Sequence, residues 1–264
     1  MHTNKHESKF ASKRSRSFVF IRGFVFFLFA FSFAAFSQTP ADEPQTGDEI
    51  AKELRNMQPN GNTKVSGTLI INRQEKIPVV CEITTNGDSW KVIYKTESTA
   101  NAPAEKFVTV HSLNAPNKYF HSSAPNPSAP LPEPKLLGAA ALETRFAGSD
   151  FWLGELGFDF LHWPVQTKLP GQMRLGQPCY VLESINPDAP TVVRVKSYIE
   201  KESGGILIAE GYDRNKKLIK DFSLGGSSFK KVNGQWQLKK MKISSPKEDS
   251  ETVLEFDLPE ENKQ

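Results

Sequence analysis

From Lys64 onward the chain alternates apolar and polar positions with a period of two. Val65, Leu69 and Ile71 alternate with Lys64, Ser66 and Thr68, and Val79, Cys81 and Ile83 alternate with Val80, Glu82 and Thr84. Trp90, Val92 and Tyr94 do the same against Lys91, Ile93 and Lys95. Successive side chains of a strand point to opposite faces, so each run predicts a strand with one buried face. Asn86-Gly87 separates the last two runs, and its tolerance of positive φ predicts a hairpin there. Phe107–His111 and Lys118–Phe120 are weaker strand candidates. After residue 164 the same period predicts strands over 165–175, 178–186, 192–200, 205–213, 217–224, 227–232, 235–244 and 251–258. Asn233-Gly234 marks a second tight turn and Asp213-Arg214-Asn215-Lys216 a looser one. Strands this close together pair antiparallel, because parallel neighbours need a crossover of about a dozen residues or more. The prediction is a long antiparallel meander of about ten strands.

Two segments depart from that period. Asp48–Met57 predicts a short helix, with acids first, Arg55 near its end, and Ile50, Leu54 and Met57 on one face. Residues 149–163 predict an aromatic helix in the middle of the meander, with Ser149 or Asp150 as its cap and Pro164 after its end. At helical spacing Trp152, Leu156, Phe160 and Trp163 form one apolar stripe. Gly154 and Gly157 lower its intrinsic stability by up to ~1 kcal/mol each, so it needs an apolar partner beneath it. Between the weaker strands and this helix, five prolines within 122–134 predict an extended surface loop.

The first 37 residues have a different composition. Lys9, Lys13, Arg14, Arg16 and Arg22 surround or precede an apolar run from Phe24 to Phe36, and Ala35 and Ser37 offer small residues before Gln38. These are the three parts of a secretory signal, and the run is shorter than the ~20 apolar residues of a spanning helix. The organisation this predicts is a signal peptide over 1–37 and a flexible lead-in over 38–47. A single domain over 48–258 and a tail over 259–264 complete it. No Cys follows the apolar run, which argues against a lipid-modified N-terminus. The expected product is soluble and periplasmic. Six of the 33 Lys/Arg and one of the 30 Asp/Glu fall in the signal, leaving 27 against 29 and a net charge of −2. The basic balance of the whole chain therefore carries no argument for nucleic acid as a partner.

Candidate chemistry is sparse. Cys81 and Cys179 sit on apolar strand faces in a chain bound for an oxidising compartment, and the sequence leaves open a disulfide or two separately buried thiols. His111, His121 and His162 lack metal-ligand spacing and read as surface histidines, although the first two sit on adjacent strands. No Gly-x-Ser-x-Gly elbow or phosphate loop is present. These residues point to a binding protein with no cofactor or metal, not to an enzyme.

Several runs resemble a known family. Phe146-x-Gly148-Ser149-Asp150-Phe151-x-x-x-Glu155-Leu156, Gly176-Gln177-Pro178-Cys179-Tyr180-Val181-Leu182-Glu183, the Gly211–Lys220 hairpin and Thr252-Val253-Leu254-Glu255-Phe256 resemble, in order and spacing, motifs of outer-membrane lipoprotein-sorting proteins. That family is the LolA/LolB-like superfamily, and the likeness covers roughly residues 138–258. Residues 48–120 share only its succession of a helix and then strands. Asn215-Lys216 stands where the family's hairpin has a glycine turn. The resemblance implies a mainly β (α+β) fold: an open, strongly curved antiparallel sheet, an incomplete β-barrel with helices covering its concave face.

On that fold, Val65, Leu69, Val79, Ile83, Trp90 and Val92 are expected to point into the concave face beneath Trp152, Leu156, Phe160 and Trp163, the ten together forming a lipid-binding site. The function implied is that of a monomeric carrier for lipid acyl chains or lipoproteins, exchanging cargo with a membrane-bound donor or acceptor protein. The alternative is a lipid-responsive regulator that docks on a membrane signalling protein. Regulators of that kind add a C-terminal domain, whereas this chain stops at Gln264, soon after its last expected strand.

Overall fold

The computed structural model describes residues 44, 46–100, 102–224, 228–232 and 235–259. The signal-peptide and C-terminal-tail expectations, and most of the lead-in, lie outside the described residues. The chain enters the described fold through helix α1 (Gly47–Arg55), closed at its start by a capping box. Thr46 Oγ1 accepts from Glu49 N at 3.2 Å, and Thr46 N donates to Glu49 Oε2 at 3.0 Å. Each bond satisfies a backbone donor that a helix start leaves without a partner.

Five strands follow: β1 (Thr63–Ile71), β2 (Glu75–Asn86), β3 (Ser89–Thr96), β4 (Glu105–Ser112) and β5 (Ala115–Ser123). A short β6 (Lys135–Leu136) comes after the proline-rich loop. The second half supplies β7 (Val165–Arg174), β8 (Gln177–Ile185), β9 (Arg194–Glu200), β10 (Ile206–Tyr212) and β11 (Leu218–Ser223). It ends with β12 (Phe229–Val232), β13 (Gln235–Leu238), β14 (Lys240–Ser245) and β15 (Ser250–Phe256). Thirteen of these form one antiparallel sheet in the order β6-β5-β4-β3-β2-β1-β15-β14-β11-β10-β9-β8-β7, and β12 and β13 pair separately. The sheet is not closed into a barrel, since β6 and β7 are its two edges.

The meander expected from the sequence is thus two meanders joined at β1 and β15, where Leu69 stands opposite Leu254. The strand expected over 235–244 is two strands, β13 and β14. The Asn86-Gly87 hairpin forms with Gly87 at φ 55°, and Asn86 pairs with Ser89 across it. Asn233-Gly234 lies outside the described residues, and the strands on either side pair with Val232 opposite Gln235. Pro170 falls on edge strand β7, where a missing N–H costs the ladder least, and the β7–β8 register shifts between Leu169 and Gln172.

The alternation of the strands becomes two apolar clusters. One contains Val65, Leu69, Val79, Ile83, Trp90 and Val92 with Phe146, Phe151, Leu153 and Leu156. The other contains Ile50 and Ala51 of α1 with Phe160, Leu161, Leu182, Val195, Ile199 and Ile206. Cys81 and Cys179 are free, buried thiols in different clusters, and burial pushes the Cys81 thiol up to about 12.

The continuous aromatic helix over 149–163 does not form. The segment that links β6 to β7 is instead a chain of short turns: 3-10 turns at Ala139–Glu143, Phe146–Gly148 and Asp159–His162, and a single α turn, α2 (Leu153–Leu156). Phe158 adopts the left-handed conformation (φ 52°, ψ 41°), which ends α2 and turns the chain before Asp159. Gly157 explains why the chain leaves the helical path here. A Cβ on it would stand 2.4 Å from Tyr119 Cε1, so the backbone is pressed against β5. Asn117 Nδ2 holds it there through Gly157 O at 2.9 Å. The single stripe is therefore divided: Leu156 packs in the first cluster, Phe160 in the second, with Trp152 and Trp163 beside Phe160.

Candidate functional site

A cavity of about 410 Å³ lies where the two clusters meet. Its walls come from the linking segment (Leu142, Phe151, Trp152, Leu156, Phe160, Trp163), from the central strands (Tyr94, Phe222, Met241, Ile243) and from β9 and β10 (Val195, Ile206, Ala209). A hollow of this size and lining falls within the range of pockets that enclose a single small ligand, ~300–1,000 Å³.

The structure divides the ten residues singled out in the sequence. Trp152, Leu156, Phe160 and Trp163 all stand on the cavity wall. Val65, Leu69, Val79, Ile83, Trp90 and Val92 are 1–7% exposed and belong to the adjoining core cluster, not to the wall. These six share a buried cluster with Phe146, Phe151 and Leu153 of the linking segment, so they are packed against protein and not against the cavity.

Charged side chains also reach the largely apolar wall, Glu143, Glu155, Asp159, Asp188 and Lys220, and of these Lys220 is the buried cation, to which the sequence reading gave no role. Lys220 on β11 is 4% exposed and shares its strand face with Phe222, which also lines the cavity. Its Nζ donates to Asp150 O, lies 3.9 Å from Glu155 Oε2 and sits 4.4 Å from the centroid of the Trp152 ring. A lysine on the same parity as Phe222 was the available signal. Burial lowers the Lys220 pKa against the pull of Glu155 and Asp150. Burial also raises the Glu155 carboxyl to about 7, although the Lys220 charge and the hydrogen bond from Trp152 N at 2.8 Å work the other way.

Asp150, within the Gly148-Ser149-Asp150-Phe151 run, ties the linking segment to β15. Its N donates to Thr252 Oγ1 at 2.9 Å, and its carboxylate accepts from Thr252 Oγ1 and Ser250 Oγ. Burial works to raise its pKa, but these hydroxyls and the Lys220 charge outweigh it and the value falls below the ordinary one. Arg145 Nη1 stands 3.7 Å from the same carboxylate and Arg145 Nη2 pairs with Glu248. The motif that carries the family resemblance is thus a fastening that holds Trp152 and Glu155 over the cavity.

The histidines are not surface groups. His111 is 7% exposed and stacks on Trp90 with ring centroids 5.0 Å apart. Burial, then the neighbouring His162, lowers its pKa to about 4. His121 Nε2 lies 3.0 Å from Glu105 Oε2, which also accepts from Ala147 N. His162 is half-buried, and burial, then Arg55, lowers it to about 4. The spacing that excluded a metal motif said nothing about burial, which is set by the register of β3, β4 and β5. Among the described residues no group of three or more His, Cys, Asp or Glu is placed to hold a metal ion.

Residues 131–264 match the sequence profile of a family described as an uncharacterized protein. The chain belongs to that family, and its fold is LolA-like. An outer-membrane lipoprotein-sorting protein domain from Vibrio parahaemolyticus superposes with a TM-score of 0.63 at 18% identity, over 83% of this chain and 93% of that one. A DUF1329 family protein from Desulfovibrio piger gives 0.62 at 16% identity, over 80% and 90%. A LolA superfamily protein from Nitrosomonas europaea gives 0.54 at 16% identity, over 82% and 96%. No curated protein matches the sequence. At these identities the likeness establishes the LolA-like fold, and the chemistry must be argued from the cavity.

Proposed function

We propose that this LolA-like protein is a periplasmic carrier that holds a lipid acyl chain, free or as part of a lipoprotein, in the cavity beneath Trp152, Leu156, Phe160 and Trp163. The observation that carries this reading is an apolar hollow of about 410 Å³ left open between two otherwise close-packed clusters. The hollow opens to solvent, so its apolar wall faces water, and covering that wall with an apolar ligand is favourable. Each methylene taken from water contributes ~0.8 kcal/mol. About ten of them give ~8 kcal/mol, a gross affinity near micromolar before the costs of association are counted. No charged anchor is needed, and Lys220 is already engaged by Asp150 and Glu155.

In this reading α1 and the linking segment cover the concave face of the open sheet, and the linking segment acts as a lid. Its division into short turns at Gly157 and Phe158 supplies hinges that a continuous helix would lack. The fold neighbour from Vibrio parahaemolyticus bears the description of a lipoprotein-sorting domain, which favours lipoproteins as cargo and membrane-bound proteins as donor and acceptor. The reading needs no catalytic step, cofactor or nucleic acid, and a monomer suffices.

The experiment is native purification from the cell envelope followed by mass spectrometry under gentle and denaturing conditions. A lipid or acylated peptide that leaves only on denaturation is the expected result. A chain that carries no apolar ligand, and takes up none when offered fatty acid, contradicts the proposal.

A further inference from the structure

The turn Asp159–His162 serves a second hollow. Phe160 lines the apolar cavity, whereas His162 lines a cleft of about 290 Å³. Its other walls are Lys52, Arg55 and Asn56 at the end of α1, and Ser112, Asn114, Ala115 and Pro116 at the β4–β5 turn. The charged side chains on these walls are basic, and among the described residues no carboxylate lines the cleft. Asn56, Asn114 and Ser112 add amide and hydroxyl donors around the same volume.

Arg55 and His162 are both held in place at the mouth of the turn. Arg55 Nη1 donates to Leu161 O, which uses one of its five donors and fixes the guanidinium against the turn. His162 is held well below the ordinary imidazole value by burial and then by the Arg55 charge, so it is neutral near pH 7 and can donate or accept a hydrogen bond. The carboxylate that acts on Arg55, Asp48, sits two helical turns back on α1 and outside the cleft.

We propose that this cleft binds a phosphate group, with Arg55 and Lys52 supplying charge and His162 supplying a hydrogen bond. Two cations and an imidazole around one small volume suit a phosphate anion, and a guanidinium fork matches phosphate oxygens in pairs. The source is either inorganic phosphate or the headgroup of a phospholipid. The proposal stands on the cleft alone and does not rest on the acyl-chain reading.

The test is an NMR titration of the His162 imidazole in the full folded chain. One arm uses inorganic phosphate, a second uses a short-chain phosphatidylglycerol below its micelle concentration, and a control uses sodium chloride at matched ionic strength. Saturating phosphate is expected to raise the His162 pKa by about one unit, a tenfold shift in its proton affinity, with no such change in chloride. Lys52→Gln, at an exposed position, should weaken the phosphate response severalfold at an unchanged melting temperature. Equal responses to both phosphate compounds identify the headgroup as a ligand, and a response to inorganic phosphate alone identifies the free ion. Absence of a saturable phosphate response overturns the proposal, as does a shift that chloride reproduces. A response to the lipid without one to inorganic phosphate also overturns it, because it reports chain entry into the neighbouring cavity. Fluorescent fatty-acid binding, measured in parallel, reports on the acyl-chain reading separately.

Discussion

Asp150 and Thr252 exchange a reciprocal pair of hydrogen bonds across 102 residues of sequence, each at 2.9 Å, backbone N–H to hydroxyl and hydroxyl to carboxylate. This pair anchors the linking segment to β15 in the middle of the sheet and brings Asp150 O to the Lys220 ammonium. Asp150→Ala keeps the carbonyl that Lys220 bonds but removes the carboxylate charge near it, and leaves the Ser250 and Thr252 hydroxyls without their acceptor. Truncating one side of a buried charged network costs ~3–5 kcal/mol. Urea unfolding of the variant is expected to show a loss near the lower end of that range. A loss comparable with that of an ordinary surface substitution would show that the fastening is not structural.

Gly157 makes the complementary contact at β5. A methyl group there meets Tyr119 Cε1 at 2.4 Å and Thr109 Oγ1 at 3.0 Å, so Gly157→Ala forces the segment away from the sheet. Overpacking of this kind costs ~1–3 kcal/mol. The variant should melt earlier and expose Trp152 and Trp163 to collisional quenching of their fluorescence. Unchanged quenching would mean that the segment tolerates the shift without opening.

Three groups with large shifts, His111, His162 and Glu155, contribute to the pH profile. His111 and His162 have folded values near 4, below the ordinary imidazole value of 6.5, so the stability they provide is full above 6.5 and is lost as pH falls toward 4. For the buried His111 the loss amounts to about 3 kcal/mol. Glu155, raised to about 7, has the opposite sign: its contribution is full below its unfolded value of 4.5 and is lost as pH rises through 7. Counting these three groups alone, between 4.5 and 6.5 the unfolded chain binds about one more proton than the folded one. Glu155→Gln removes one opposing group and should steepen the slope by about one proton, measured by urea unfolding at several pH values. An unchanged slope would place the Glu155 carboxyl outside the apolar wall.

The processing expectation concerns residues outside the described fold. Ala35 and Ser37 before Gln38 predict a mature chain that begins at Gln38 in the soluble envelope fraction. Intact mass and N-terminal sequencing check this, and recovery of the full-length chain in membranes would contradict it.

The strands and the hairpin at Asn86-Gly87 were legible because period-two patterning and a positive-φ turn are local signals. The joining of β1 to β15 was not, because nothing in either strand names a partner nearly two hundred residues away. The linking segment was misread for a physical reason. Trp152, Leu156, Phe160 and Trp163 keep helical spacing, but Gly157 is selected by its closeness to Tyr119, a tertiary contact that overrides spacing. The four aromatic and aliphatic residues reach the cavity wall by separate turns. The six strand residues share a buried cluster with Phe146, Phe151 and Leu153, which the sequence placed in no particular layer. Lys220 was visible as a charge on an inward parity, yet its partners Asp150 and Glu155 are brought to it only by the crossing of the linking segment.

An acyl chain held in the hollow between the two clusters would compete for space with any bulk added to its wall. Ala209 lines it from β10 and is only partly buried, so Ala209→Trp fills the hollow from one side without removing any core group. The decisive measurement is the affinity of a fluorescent fatty acid for the parent chain and for this variant, with melting temperatures recorded alongside. The account predicts saturable binding by the parent and an affinity at least about tenfold weaker in the variant, ~1.4 kcal/mol, at a similar melting temperature. Equal binding by a folded Ala209→Trp chain, or no binding by the parent, would contradict it.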